Sequence, residues 1–449
     1  MSDMTETDIR DIVVIGGGAS GTLTAWNLAV RHGVTCTVID PSERPGFGLA
    51  YSTPSLKNLL NVAARGMSAD PDDPDHFLKW LRDNVPGSVA PGEFVPRAIY
   101  GLYLRNLYSI AGPEHERQAA VACRRLERGF EITLADGRKI RAGKVVLGCG
   151  HFDPARLPGI PPELDATGRY HHNAWAERVF AGIAVYDEVT VIGTGLTTVD
   201  VLLRLRENGH RGRVTALSRR GLFPERHADY TPLPAPVVTP CGVPPTARAY
   251  LRAFHAALKR GTNWRAAVDS MRSVTNVLWL ALPDTEKIRF QRHLLRRWEV
   301  VRHRMAPHIA DILDQERRAG SLRVLDGRVT AIAADNDHLT ITAVAAGKAL
   351  SLRAAHVINC TGPSLNYKRV AAPLLHDLFD KGEIVPGFGG AGLSCTPDGA
   401  LIDRAGKIAD DLFVVGPARQ GVLLESIAIP EIRCQAKKVA DIIVNAGAT

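Results

Sequence analysis

Short apolar runs and helical periodicity alternate from the start of the chain. Asp11 to Ile15 is a β-branched apolar run, glycines follow at once, and a helical pattern occupies Ala19 to His32. The next strand pattern is Thr35 to Ile39, closing at Asp40. A β-α-β unit of about thirty residues is the size of one mononucleotide-binding half. Residues 42–66 are loop-like, and the turn-forming run Asp70-Pro71-Asp72-Asp73 leads into an amphipathic helix predicted over Pro74 to Asp83. From Cys123 to Leu147 the pattern changes to short strands. FEITLADGRKI predicts a hairpin turning at Asp136-Gly137, and KVVLGCG a buried strand running into glycines.

A proline-rich connector from Asp153 to Pro162 precedes EVTVIGTGLTTVDVLLRLRENG and RVTALSRR, which repeat the strand, glycine turn, helix and strand of the first unit. Proline-rich sequence from Pro224 to Pro245 interrupts this second unit, and residues 246–318 read as a helical insertion. Strand signals return at Leu322 to Leu325, Val329 to Ala333 and Leu339 to Val344. HVINCTGPS then repeats the strand-into-glycine ending of VVLGCG, and DLFVVGP and a helix from Ile429 to Asn445 close the chain. The pattern predicts an α/β protein with two Rossmann-like dinucleotide-binding domains. The first is discontinuous, 1–180 with 350–449; the second is 185–349 and carries the helical insertion at about 246–318.

Composition adds bounds. The 449 residues are 45% hydrophobic and 23% charged, ordinary for a globular protein of two or three domains. Formal net charge is +8, with the basic residues spread along the chain rather than gathered in a tail, so nucleic acid is not expected as a partner. A local excess lies between Arg289 and Arg304, in RFQRHLLRRWEVVRHR, which reads as one amphipathic helix. Its basic side is either a solvated face or a surface for an anionic ligand. Seven cysteines, Cys36, Cys123, Cys149, Cys241, Cys360, Cys395 and Cys434, offer neither a CxxC pair nor zinc spacing, and no metal site is expected. An odd, scattered set suits a reducing cytoplasm. The opening MSDMTETDIR is acidic where a secretory signal would be basic, and no apolar stretch has the length of a membrane span, so the chain is read as cytoplasmic.

The chemistry sits in the glycine turns. Gly16, Gly18 and Gly21, with Ala19 and Ser20 between them, satisfy GxGxxG directly after a strand and at the opening of a helix. Such glycines allow a tight turn, admit a pyrophosphate close to the backbone, and let helix and strand pack together. The helix start offers unpaired N–H groups and the positive end of a dipole. Asp40, at the end of the following strand, is where an acid takes the adenosine ribose hydroxyls. The second turn has Gly193 and Gly195, with Thr198 in the third position. Its companion strand ends in Ser218-Arg219-Arg220 with no acid, which suits a 2′-phosphate and favours NADPH over NADH. The strand ends at Gly150 and Gly362 fall where the chain crosses between domains.

With these marks the chain resembles the two-dinucleotide-binding flavoproteins, and within them the bacterial FAD/NAD(P)-binding proteins of the YdhS-like family. The likeness spans nearly the whole length: IGGGASG, GFGLAYSTPSLKNLLNV, DPDDPDHFLKWL, FVPRAIYGLYL and LFVVGPARQGVLLESIAIPEIRCQA. It implies FAD at the first turn and a nicotinamide dinucleotide at the second. It also implies that Gly46 to Tyr51 (Gly48 among them), Asn61 and Arg97 lie near the flavin, with Gly416 to Arg419, Glu425 and Ile429 along its ring and ribityl chain. Many flavoproteins of the wider group carry Gly-Asp where this chain has Gly416-Pro417, which puts an acidic contact there in doubt.

FAD beside NADPH implies hydride transfer to the flavin. No cysteine pair serves a dithiol route, and no ligand cluster serves a metal route. That leaves oxygen: a monooxygenase hydroxylating a small substrate through a flavin C4a-hydroperoxide, with O2 and that substrate as partners; the family resemblance implies a nitrogen-containing substrate. An NAD(P)H-dependent reductase or dehydrogenase with a soluble acceptor is the second reading, and a non-catalytic flavin redox sensor the third. His151, after Gly150, and His303 and Arg304, at the end of the basic helix, are the candidate substrate-facing residues. Each also has a plain structural reading, as a loop histidine or as cations at a helix C-terminus.

Overall fold

A computed structural model describes residues 9–445, and the acidic opening segment Met1–Asp8 lies outside the described residues. The described residues form two compact units, one of residues 9–56, 62–152 and 364–445, the other of 57–61 and 153–363.

The first unit opens with β1 (Ile9–Ile15), α1 (Ala19–His32) and β2 (Thr37–Ile39). It continues through α2 (Gly48–Tyr51), α3 (His76–Asn84), α4 (Arg97–Ala111), β3 (Glu114–Glu116), β4 (Ala120–Arg125), β5 (Phe130–Leu134) and β6 (Lys139–Leu147). β1 pairs in parallel with both β2 and β6. Its residues from Ile12 to Ile15 are buried, as expected of a strand covered on both faces. The predicted hairpin forms: β5 and β6 pair antiparallel around the turn, where the Gly137 N–H donates to the Leu134 carbonyl at 3.0 Å.

The second unit starts at β7 (Tyr170–His171), β8 (Val189–Ile192), α5 (Leu196–Glu207) and β9 (Val214–Ser218). The insertion follows as α6 (Ala247–Lys259), α7 (Trp264–Ser270), α8 (Thr275–Ala281), α9 (Asp284–His293), α10 (Leu295–Arg302) and α11 (Pro307–Arg318). The stretch expected as one basic helix is therefore two, α9 and α10, which meet at Leu294 (φ −115°, ψ −32°). Next come β10 (Leu322–Asp326), β11 (Arg328–Asp335), β12 (His338–Ala345), β13 (Lys348–Ala354) and β14 (His356–Asn359). β10-β9-β8-β14-β7 make an all-parallel sheet, and β11-β12-β13 a separate antiparallel one. Leu217, Ile341 and Val357 are among the fully buried residues of its core.

The chain then returns to the first unit with α12 (Pro373–Lys381), β15 (Ala400–Ile402), β16 (Ile408–Val414) and α13 (Ile429–Asn445). β16 joins β6 in parallel, giving the order β15-β16-β6-β1-β2-β3. Val13, Val145, Leu378 and Val414 lie at the centre of this core.

The unit boundaries differ from those at 180 and 350. β7 pairs with β14, and β14 with β8, which draws 153–180 and 350–363 into the second unit. Among the described residues no helix is long and apolar enough to cross a membrane.

Candidate functional site

In the first unit the glycine turn is built against the strand that follows it in the sheet. Gly16 has φ +105°, and a Cβ there would lie 2.5 Å from the Gly148 carbonyl oxygen beyond β6. A Cβ on Gly21 would overlap the Gly16 carbonyl oxygen and press on Val14. These two positions are closed to any side chain by backbone alone. Gly18 caps α1 with no side-chain acceptor, and the first turn holds no acid. The N–H groups of Ala19, Ser20 and Gly21 therefore precede the first intrahelical bond, Thr22 N–H to Gly18 O at 2.9 Å, and are available to an anion.

Asp40 locks this turn. Its Oδ2 accepts the Gly17 N–H at 2.6 Å and its Oδ1 the Ser42 N–H at 2.8 Å. Each oxygen keeps a lone pair for a further donor such as a ribose hydroxyl. The Gly46–Gly48 loop sits beside the turn: the Gly46 N–H donates to Gly17 O at 2.8 Å, and a Cβ on Gly48 would come within 3.0 Å of Gly18 Cα. Tyr51 ends that loop and packs on Tyr100 of α4 with ring centroids 4.9 Å apart. Burial pushes its phenol pKa up, and the Arg97 cation works against that shift. On the far side of the α1 start, a Cβ on Gly416 would overlap Ser20 Oγ. Gly416 is held by a buried polar chain that sequence reading did not single out. Its N–H donates to Gln435 Oε1 at 2.9 Å, its carbonyl accepts Ser426 Oγ at 2.6 Å, and Gln435 Nε2 donates to Ser426 Oγ at 3.0 Å. Glu425, next to Ser426, is buried. Gly148 to His151 follow β6; the Gly150 carbonyl accepts the Tyr367 hydroxyl at 2.5 Å. Gly16 to Gly21, Asp40, Gly48, Tyr51, Arg97, Gly150, Gly416 and Glu425 all belong to the first unit. Asn61 is not among them: it belongs to the second unit, where its carbonyl accepts His227 Nε2 at 3.0 Å.

In the second unit the turn repeats the same build. Gly193 has φ +124°, and a Cβ there would overlap the Cys360 carbonyl oxygen. Thr198 explains its own presence, because its Oγ1 donates to the Gly193 carbonyl at 2.9 Å, fastening the turn where Gly21 fastens the first by contact. Gly195 caps α5 with no side-chain acceptor, and a Cβ built on it meets nothing within 4 Å. That open space is a cleft of about 1080 Å³. Its lining includes Gly193, Gly195, Ser218, Arg219, Arg220 and Gly362. Arg292, Arg296 and Arg328 line it too, against one carboxylate, Glu299. The RHLLRRW run was visible in sequence as basic, but nothing local aimed two of its arginines at a turn a hundred residues earlier. Arg296 does so by donating to Thr194 O at 3.3 Å and to Leu222 O at 2.7 Å. Ser218 Oγ meets Thr194 Oγ1 at 2.9 Å.

The candidate substrate-facing residues divide. His151 is half-buried, its Nδ1 has no hydrogen-bond partner among the described residues, and burial lowers its pKa to about 4. It is neutral at physiological pH. His303 ends α10, its N–H donating to Glu299 O at 2.9 Å. Arg304 corrects the expectation: its side chain is 2% exposed, and its Nη2 donates to both carboxylate oxygens of Asp269 at 2.5 Å. The rings of Tyr230 and Trp264 lie 5.9 Å away. A guanidinium so enclosed ties α7 to the segment after α10 within the insertion, through a carboxylate that is itself half-buried.

Burial dominates the histidines. His171 and His227 in the second unit, like His151 in the first, have pKa values lowered to about 4, with His356 and Arg178 adding to the shift at His171 and Arg304 at His227. These groups are neutral in the native state and titrate at 6.5 when exposed. Their contribution to stability is complete above pH 6.5 and is lost as pH falls through about 4. The thermal midpoint is expected to hold steady down to about pH 6.5 and then to fall steeply. A midpoint unchanged between neutral pH and the carboxylate range contradicts this.

Residues 13–152 match the model of the FAD-NAD(P)-binding family. No curated protein matches the sequence. Solved structures do match in fold. The Kutzneria sp. 744 ornithine N-hydroxylase, solved with FADred, NADP+ and L-orn, has a TM-score of 0.68 at 14% identity, over 98% of this chain and 100% of that one. The cadaverine monooxygenase of desferrioxamine biosynthesis from Erwinia amylovora, bound to FAD, has a TM-score of 0.66 at 13% identity, over 97% and 95%. The bacillithiol disulfide reductase of Bacillus cereus has 0.58 at 16%, over 98% and 100%. Residues 13–152 are therefore similar to the FAD-NAD(P)-binding family, and over 98% of its length the chain has the fold of the ornithine N-hydroxylase and of the bacillithiol disulfide reductase.

Proposed function

We propose that the protein is an FAD-dependent, NADPH-using monooxygenase acting on a small nitrogen-containing substrate, of the YdhS-like kind. The observation that carries the reading is the pair of like-built glycine turns with opposite chemistry around them. One is closed by the Asp40 carboxylate, and the other opens into a cleft lined by arginines. The residues present fit both dinucleotides: bare helix starts for pyrophosphate, an acid for ribose hydroxyls, and guanidinium groups for a 2′-phosphate.

FAD, when bound, supplies hydride acceptance from the nicotinamide and electron delivery to oxygen. The chain's part is to hold and orient. The N–H groups of Ala19 to Gly21 receive the phosphates of FAD, and Asp40 receives the ribose. Gly48, Tyr51, Arg97, Gly150, Gly416 and Glu425 form the remaining surround of that dinucleotide, with Gly416 fixed by Ser426 and Gln435. Gly193, Gly195 and Gly362 admit NADPH to the cleft, Thr198 keeps that turn in shape, and Ser218, Arg219 and Arg220 face its adenosine end. His151 offers a neutral hydrogen-bonding edge rather than a charge. A small-molecule substrate and O2 are the partners, and the reducing cysteine pattern fits a cytoplasmic enzyme.

The structural likeness to a disulfide reductase keeps a second reading in view, an NADPH-dependent reductase with a soluble acceptor. Oxygen uptake by the FAD-loaded protein with NADPH, across a panel of amines, purines and aromatic acids, separates the two. A monooxygenase gives substrate-stimulated uptake and a product one oxygen heavier. Undiminished anaerobic turnover with an artificial acceptor, and no oxygenated product from any panel member, would overturn it in favour of the reductase.

A further inference from the structure

We propose that Arg292 of the helical insertion and Arg328 at the start of β11 complete, with Arg219 and Arg220, a pocket for the 2′-phosphate of the nicotinamide dinucleotide. The insertion is thereby part of the specificity apparatus and not an appendage. This rests on reading the second glycine turn as a dinucleotide site and extends it to residues outside the β-α-β unit.

Two independent placements converge. The first is in the sheet. β9 and β10 run parallel, with Ser218 opposite Asp326, and the Gly327 N–H donates to the Ser218 carbonyl at 2.8 Å. Both strands end at one edge, so Arg219 and Arg328 leave it as neighbours on the cleft wall. The second is in the insertion. Arg296, through Thr194 and Leu222, pins the first turn of α10 to the glycine turn and to the loop after β9. Arg292 lies four residues earlier, in the last turn of α9, and is carried to the same cleft. Arg220 Nη2 reaches the Arg292 carbonyl at 3.4 Å, a cation at a helix C-terminus, and so draws the two groups of arginines together.

Charge then identifies the ligand. Arg219, Arg220, Arg292 and Arg328 are exposed on this lining, and none has a carboxylate partner among the described residues. The one acid of the lining, Glu299, lies 3.4 Å from Arg296. Unneutralised guanidinium groups gathered on one wall repel each other, and a phosphate dianion relieves that repulsion while accepting paired N–H donors. The pyrophosphate is provided for at the α5 start, and the end of β9 is where the adenosine ribose is held. A phosphate on that ribose is the anion left to account for.

Calorimetric titration of the FAD-saturated protein with 2′,5′-ADP and with 5′-AMP isolates the 2′-phosphate without turnover. FAD keeps the adenosine fragments out of the first turn. The wild type is expected to bind 2′,5′-ADP more tightly than 5′-AMP. Arg292→Ala and Arg328→Ala should each weaken 2′,5′-ADP about tenfold or more, with 5′-AMP little changed and melting curves intact. Arg292→Lys should restore part of the loss. Wild-type affinity for 2′,5′-ADP in both alanine variants, with Arg219→Ala losing it, overturns the proposal and leaves the dinucleotide reading standing. Equal affinity of the wild type for the two probes does the same. Failure of the wild type to bind either probe overturns both.

Discussion

Gly21→Ala is expected to yield a protein that does not reach a stable fold and carries no flavin. The added methyl group would occupy the position of the Gly16 carbonyl oxygen, with Val14 Cγ1 only 3.2 Å away. α1 has no room to retreat, since Leu23, Trp26 and Leu28 on it are buried. Overpacking of side chains costs about 1–3 kcal/mol. Here the obstacle is backbone, which cannot change rotamer, and the cost is expected to exceed about 4 kcal/mol, against whole-protein stabilities of about 5–15 kcal/mol. Chemical denaturation and soluble yield read the effect. The matching position of the second turn makes the contrast. Thr198→Gly loses the 2.9 Å bond to Gly193 O and should cost about 1 kcal/mol. A Gly21→Ala protein with the wild-type midpoint would show that α1 and β1 are not packed as described.

Asp40→Ala should fold and yet lose FAD. Asp40 stands at the edge of the turn rather than in a core, so its removal leaves no cavity. It does release the Gly17 and Ser42 N–H groups, held at 2.6 and 2.8 Å, and removes the acceptor proposed for the ribose. Hydrogen bonds to a charged group contribute about 1.5–3 kcal/mol each, so FAD affinity should fall about tenfold to a hundredfold or more. Asp40→Asn keeps one acceptor and should fall between. Flavin content after purification, and titration of the apoprotein with FAD, measure this. Full FAD occupancy in Asp40→Ala would remove the carboxylate from the site.

Both variants fall on features that local sequence made legible. A strand leading directly into Gly16, Gly18 and Gly21 and an acid at Asp40 fix the turn, because those constraints act within one β-α-β unit. The insertion was legible as helices for the same reason: α6 to α11 run from Ala247 to Arg318, beside an expectation of 246–318. What lay beyond reach was carried by long-range packing. No spacing rule tells that Arg296 returns to Thr194, that Asn61 packs with the second unit through His227, or that Arg304 turns inward to Asp269. A basic residue near a helix end reads alike in sequence whether it faces a cleft, as Arg292 does, or turns inward to a half-buried carboxylate, as Arg304 does. The single basic helix failed at Leu294 on a backbone break that hydrophobic periodicity cannot register. Thr198 stands in sequence only as the occupant of the third position, whereas its hydroxyl is the fastening of the turn.

The most direct test mixes FAD-loaded protein with NADPH, and separately with NADH, without oxygen, and follows the visible flavin absorbance. Rapid bleaching by NADPH, and much slower bleaching by NADH, is the expected result. A protein that takes up no FAD, or whose flavin neither nucleotide reduces, would contradict the account.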